Sequence, residues 1–205
     1  EHPMTTVVWF KRDLRTHDHG PLLAAVETGR PVIPLYVVEP EYWQLPDTSD
    51  RHWGFIRESL TDLDRQLRSM GSRLVVMHGH ILDVLATLHA HYGIGRVFCH
   101  QETGGQWTFD RDREVIRWCQ AHSSEFREWQ QFGVVRRLPD RDQWDDRWQD
   151  LMQQPVMAAP AYLPIPDDNL AGWPDSGSLA APDVNHCLPC PDRQTGGSTH
   201  GDRLL

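Results

Sequence analysis

The sequence predicts an α/β fold: an open parallel sheet of about five strands with helices on both faces. Two observations carry this. Short β-branched and aromatic runs alternate with longer stretches whose apolar residues recur every three or four positions, and turn residues separate the two kinds of segment. Parallel strands joined by right-handed crossovers follow from that alternation.

The elements come in order. Residues 5–10 (TTVVWF) form a buried strand that ends in the charged stretch Lys11 to Arg15. Residues 31–38 (PVIPLYVV), 73–77 (RLVVM) and 96–99 (RVFC) repeat that signature. Between the second and third runs, Trp53, Ile56, Leu60, Leu63, Leu67 and Met70 draw one stripe down a helix over 50–70, and Gly71 stops it. Ile81, Leu85, Leu88 and Tyr92 give the next helix, ended near Gly93. Phe109, Val115, Ile116 and Cys119 give another over 108–121. Most of the nine Trp fall on such stripes and read as core.

Beyond Leu151 the periodicity stops, because prolines from Pro155 to Pro191 interrupt every pattern. Residues 1–150 are therefore expected to form one domain. Residues 151–205 read as a Pro-rich linker that either connects to a further domain or wraps over this one.

Composition excludes several classes. No run approaches the roughly 20 apolar residues of a membrane span, and no charged start precedes an apolar segment, so a cytoplasmic location is expected. Four Cys are too few and too unevenly spaced for a disulfide framework. A net charge of -9 opposes general attraction to a phosphate backbone. The local strip Arg136, Arg137 and Arg141 reads as a solvated face rather than a phosphate site.

In an open parallel sheet, ligands sit beyond the carboxyl ends of the strands. That rule selects 10–12, 38–40, 78–80 and 100–104. Neither G-x-G-x-x-G nor a Walker sequence is present, which disfavours a dinucleotide or triphosphate cradle and leaves room for a planar heterocycle. Glu102 could accept hydrogen bonds from such a ring, or face water. His78 and His80 read as surface or capping residues. The Cys187-x-x-Cys190 pair lacks the second ligand pair of a zinc site, so no metal site is expected. No catalytic constellation is present, and the chain by itself is not expected to be catalytic.

Residues 9–22 (WFKRDLRTHDHGPL) resemble the opening of the DNA photolyase and cryptochrome family. The likeness continues through RHWGFIRESLTDLDRQL at 51–67, LVVMHG at 74–79 and Arg111-Asp112, and resumes in the tail at RQTGG, 193–197. It implies the Rossmann-like N-terminal half of such a protein, with the start of a helical domain at the end of the tail. FAD and the contact with damaged DNA belong to that helical half. For this half the resemblance implies an antenna chromophore held by Phe10, Lys11, Val38, Glu39, Arg51, Gly79, Gln101 and Glu102.

Departures narrow the expectation. Trp107-Thr108 stands where folate-binding members carry Asn-Glu, so a deazaflavin, flavin or lumazine is favoured over folate. Lys11 replaces a common Arg and His19 a common Asn. The implied function is the light-harvesting domain of a deoxyribodipyrimidine photolyase. A cryptochrome-type blue-light photoreceptor and a structural module with an empty pocket are the alternatives. An interdomain face left bare would favour self-association.

Overall fold

Apolar and β-branched runs build β1 (Thr5–Phe10), β2 (Val32–Val38), β3 (Val75–His78) and β4 (Ile94–His100), and a fifth strand, β5 (Glu125–Trp129), completes the sheet. The structure, a computed structural model, describes residues 4–131, 144–186 and 192–202. All strand pairs are parallel, in the order β3-β2-β1-β4-β5. β3 starts at Val75 rather than at residue 73, because the Leu74 N–H donates to the Asp64 carboxylate at 2.8 Å instead of entering the ladder. Pro34 sits inside β2 at no cost to the sheet, since pairing with β3 begins only at Leu35.

The helices are α1 (Gly20–Glu27), α2 (Pro40–Trp43), α3 (Asp50–Ser69), α4 (Ile81–Tyr92), α5 (Gln106–Ala121), α6 (Trp144–Met152) and α7 (Ser198–Gly201). Ser49 caps α3 and His80 caps α4, whose end is closed by Gly93 in the left-handed region at φ 65°. Alternation along β1 divides the core in two. Val8 and Phe10 pack with Leu22 of α1, Trp43 of α2 and the Leu60, Leu63, Leu67 stripe of α3. Val7 and Trp9 pack with Leu85 and Leu88 of α4 and Val115 and Cys119 of α5. The sheet is thus covered on both faces, as its near-continuous apolar strands require. Trp9, Trp43 and Trp53 are core, but Trp144 and Trp148 are exposed on α6, a departure from the stripe reading.

The Pro-rich tail lies along this domain. The Leu163 N–H donates to Met70 O at 3.0 Å, Val32 N–H to Pro164 O at 2.8 Å, and Val76 N–H to Pro174 O at 3.0 Å. The last bond caps the outer edge of β3, where an unpaired strand would otherwise invite association. Leu163 and Leu170 are fully buried, one in each core cluster. Among the described residues no helix is long and apolar enough to cross a membrane.

Candidate functional site

β1 lies between β2 and β4, so the chain leaves it in opposite directions and the loops at its carboxyl end part. A cavity of about 390 Å³ opens there, within the range of small-molecule sites. β1 and the loop after it supply Trp9 to Arg12, the residue after β2 supplies Glu39, the loop after β4 supplies Glu102, and α5 reaches over with Arg111. Trp43, Phe55 and Ile56 from α2 and α3 close the apolar side, with Tyr42 and His52 beside them.

Six charges are organised around Arg111. Its guanidinium donates from Nη1 to Glu39 Oε2 at 2.8 Å, from Nη2 to Glu102 Oε2 at 2.5 Å, and to Asp112 Oδ1 at 2.8 Å. Lys11 Nζ donates to Asp112 Oδ2 at 3.0 Å, and Arg12 Nε pairs with Glu102 Oε1 at 2.8 Å. Three cations therefore meet three carboxylates. The planar Arg111 head lies 4.7 Å from the centre of the Trp9 ring and 5.3 Å from that of Trp107, and Lys11 Nζ sits 4.6 Å from the Trp9 ring. Burial works against the Arg111 charge, but Glu39, Asp112 and Glu102 outweigh it and raise its pKa further. Burial pushes the Glu39 carboxyl upward, with Arg111 opposing. One atom stands out: Glu39 Oε1 is buried and has no hydrogen-bond partner among the described residues. Buried acceptors are rarely left so.

Of the residues expected at the site, Phe10, Lys11, Glu39 and Glu102 line the cavity. Glu102 does not face water, being 7% exposed and held by two arginines. Val38 is buried in the core beneath. Gly79, at φ 131°, donates its N–H to Val38 O at 3.1 Å, and Gln101 N–H donates to Trp129 O at 2.8 Å, so these two tie strand ends together. Arg51 is exposed on the first turn of α3, next to His52, which does line the cavity. Sequence reasoning missed Arg111 as a site residue. The available signal was its place on the buried stripe Thr108, Arg111, Asp112, Val115, where a charge needs partners.

A second polar cluster lies under the first loop. Asp13 Oδ2 is 2.7 Å from His19 Nε2 and 2.6 Å from His100 Nδ1, all three residues buried. Two histidines and a carboxylate match a metal-ligand set by residue type. However, His19 Nδ1 accepts the Leu22 N–H at 3.1 Å, so in the neutral ring Nε2 carries the proton and donates to Asp13. The arrangement is thus a hydrogen-bonded network. His80 caps α4, as expected, and His78 is exposed. Arg136, Arg137, Arg141, Cys187 and Cys190 lie outside the described residues.

A family model described as DNA photolyase matches residues 6–136. The chain is 36% identical over 117 residues to Cryptochrome DASH of Gloeobacter violaceus, covering 54% of this chain and 23% of that protein. It is 35% identical over 112 residues to Cryptochrome-2 of Gallus gallus, covering 55% and 19%. It therefore spans less than a quarter of those relatives in these matches. A bacterial class III photolyase from Agrobacterium tumefaciens superposes with a TM-score of 0.68 at 24% identity, over 85% of this chain and 37% of its own. An archaeal photolyase from Sulfolobus tokodaii, solved with two FAD molecules, gives 0.67 at 20% identity, over 85% and 40%. At these identities the structures establish a shared fold.

Proposed function

The chain belongs to the DNA photolyase family, and from that premise we propose that it is the light-harvesting antenna domain of a deoxyribodipyrimidine photolyase, whose whole protein repairs pyrimidine dimers in DNA using light and FAD. The observation that carries this is the cavity at the carboxyl ends of β1, β2 and β4, with apolar and aromatic walls and a polar rim that includes Arg12, Tyr42 and Glu102. That combination suits a planar heterocycle with a polar edge.

The chromophore favoured here is a deazaflavin, flavin or lumazine. Trp9, Phe10 and Trp43 would give it rigid walls, and Arg12 with Tyr42 would supply donors. When bound, such a group absorbs light and passes the excitation through space to FAD. The residues of this chain orient it and keep water from it. The second FAD of the archaeal relative, whose report names a novel light-harvesting cofactor, supports a flavin-like occupant.

FAD chemistry and contact with damaged DNA are assigned to a helical half outside this chain. Cytoplasmic residence suits Cys99 and Cys119, which are buried free thiols. Cryptochromes share this half, and dimer repair by the whole protein separates the two alternatives. Self-association of the isolated chain is part of the same proposal and is read by sedimentation.

The test is an absorption and fluorescence titration of the purified chain with FMN, a 5-deazaflavin, a ribityl lumazine and a reduced folate. Saturable uptake of a ring from the first three, with quenching of tryptophan emission, is expected. Uptake of none of the four would overturn the antenna assignment and leave a structural module.

A further inference from the structure

One stretch of chain, from the end of α2 to the second turn of α3, gives the cavity Trp43, Asp47, His52, Phe55 and Ile56. Residues 44–49 between the two helices form neither helix nor strand, so their shape depends on the hydrogen bonds that they find. Within the loop, the Thr48 hydroxyl donates to Trp43 O and to Leu45 O, both at 2.7 Å, which ties the loop to the Trp43 wall. The remaining support comes from the Pro-rich tail. Asn185 Nδ2 donates to Leu45 O at 3.1 Å and to Thr48 O at 3.4 Å, and Asn185 O accepts the Asp50 N–H at 3.0 Å. Asp50 is the first residue of α3, where a backbone N–H has no partner within the helix. Val184 packs on the core cluster that contains Trp43 and Trp53, and His186 Nδ1 lies 3.4 Å from Asp50 Oδ2. Asn185 itself is not among the residues that line the cavity.

We propose that Asn185 is a positioning residue for the cavity: it holds residues 45–50 without touching the ligand, so that Trp43, Asp47 and His52 stand in place before a ligand arrives. This inference rests on the antenna reading and adds to it a coupling between the tail and the ligand site. A single asparagine suits the role, because its amide brings two N–H donors to two carbonyls while its backbone carbonyl takes the N–H at the helix start. A loop already ordered in the free chain costs the ligand nothing further to fix. A loop that samples several shapes lowers the apparent affinity by the fraction of time that it is competent. By linkage, a ligand that needs the ordered wall also steadies the tail.

Two substitutions separate the contributions. Asn185→Ala removes both side-chain donors and keeps the backbone acceptor and the Val184 anchor. Asn185→Asp keeps the shape but sets a carboxylate, which can only accept, against two carbonyl oxygens.

The experiment uses the full chain with FMN, a 5-deazaflavin and a ribityl lumazine as probes. Affinity and dissociation rate are read by fluorescence in wild type and both variants, and amide exchange is followed with and without probe. In both variants affinity is expected to fall about 3- to 10-fold, the usual range for an ordinary hydrogen bond, chiefly through faster dissociation. Urea midpoints are expected to stay near wild type, since Asn185 is exposed. Bound probe is expected to slow exchange at 183–186 in wild type and not in the variants. Wild-type affinity in both variants overturns the role of Asn185 while leaving the antenna assignment standing, even if exchange at 45–50 is faster, because the contact is then structural only. A loss in Asn185→Ala but not in Asn185→Asp overturns it too, since bulk rather than the donors would be responsible. A wild-type tail whose exchange ignores the bound probe has the same consequence. Failure of wild type to bind any probe removes the antenna assignment, and with it the role of Asn185.

Discussion

His19 donates from Nε2 to Asp13 Oδ2 at 2.7 Å while its Nδ1 accepts the Leu22 N–H at 3.1 Å, so one buried imidazole ties the first loop to the start of α1. Burial depresses the His19 pKa below its ordinary 6.5, and the nearby Asp13 only partly opposes this. As pH falls through about 6.5 the unfolded chain takes up this proton before the folded one does, so stability is lost from there downward. Burial alone would raise Asp13, but His19 and His100 more than offset it and hold the carboxyl well below 3.8, which adds a further loss at lower pH. Asparagine in place of His19 keeps a capping oxygen and an amide donor for Asp13 without titrating. Urea midpoints between pH 7 and 5 are therefore expected to fall less steeply in His19→Asn than in wild type. Parallel slopes would show that His19 does not titrate differently on folding.

Arg111 anchors three carboxylates at 7% exposure. Arg111→Met would leave Glu39, Glu102 and Asp112 with too few donors in a dry site. The expected loss is about 3–5 kcal/mol in urea unfolding, the usual effect of stripping one partner from a buried ion pair. Arg111→Lys is expected to recover only part of it, since an ammonium cannot reproduce the planar fork or its stacking between Trp9 and Trp107. A loss below about 1 kcal/mol for the Met variant would mean that the carboxylates find water.

The sheet was legible because Thr5–Phe10 and Val32–Val38 are buried along their whole length and so read as continuous apolar runs. β5 was not located, because Glu125, Arg127 and Glu128 on this partly exposed edge strand break the apolar run. The rule that ligands sit at strand carboxyl ends located Lys11, Glu39 and Glu102. It could not locate Arg111, which arrives from a helix, nor Tyr42, Trp43 and His52, whose approach depends on how α2 and α3 pack. His19 was passed over for a related reason: its partner His100 is 81 residues away in sequence, and only the adjacency of β1 and β4 brings the two onto one carboxylate.

Gly196 rests on α3 so closely that an added Cβ would collide with the Phe55 carbonyl. Around it, Glu58 accepts from the Gly196 N–H at 2.8 Å and from Arg193 at 3.0 and 2.5 Å, and Asp62 accepts from the Thr199 N–H at 3.1 Å. Gly196→Ala is expected to lift residues 193–202 from α3. Faster amide exchange and proteolysis in that segment would be the sign, with the urea midpoint of the domain nearly unchanged. Unaltered exchange at Gly196 and Thr199 would show that the contact yields at no cost.

The tail carries a prediction about where the folding unit ends. Leu163 and Leu170 are each fully buried, on opposite faces of the sheet. Arg73 also clamps the carbonyls of Leu170 and Trp173 at 3.2 and 2.8 Å. Burying a leucine stabilises by about 1.5–3 kcal/mol. Removing both, together with the backbone bonds to Met70 and from Val32 and Val76, is of the order of the total stability of a domain this size. A chain cut after residue 150 is therefore expected to unfold at a much lower urea concentration than one cut after residue 186. In the full chain, Leu163→Ala and Leu170→Ala should each cost about 2–5 kcal/mol. Equal midpoints for the two truncated chains would show instead that 151–186 is a linker lying on a domain already complete without it.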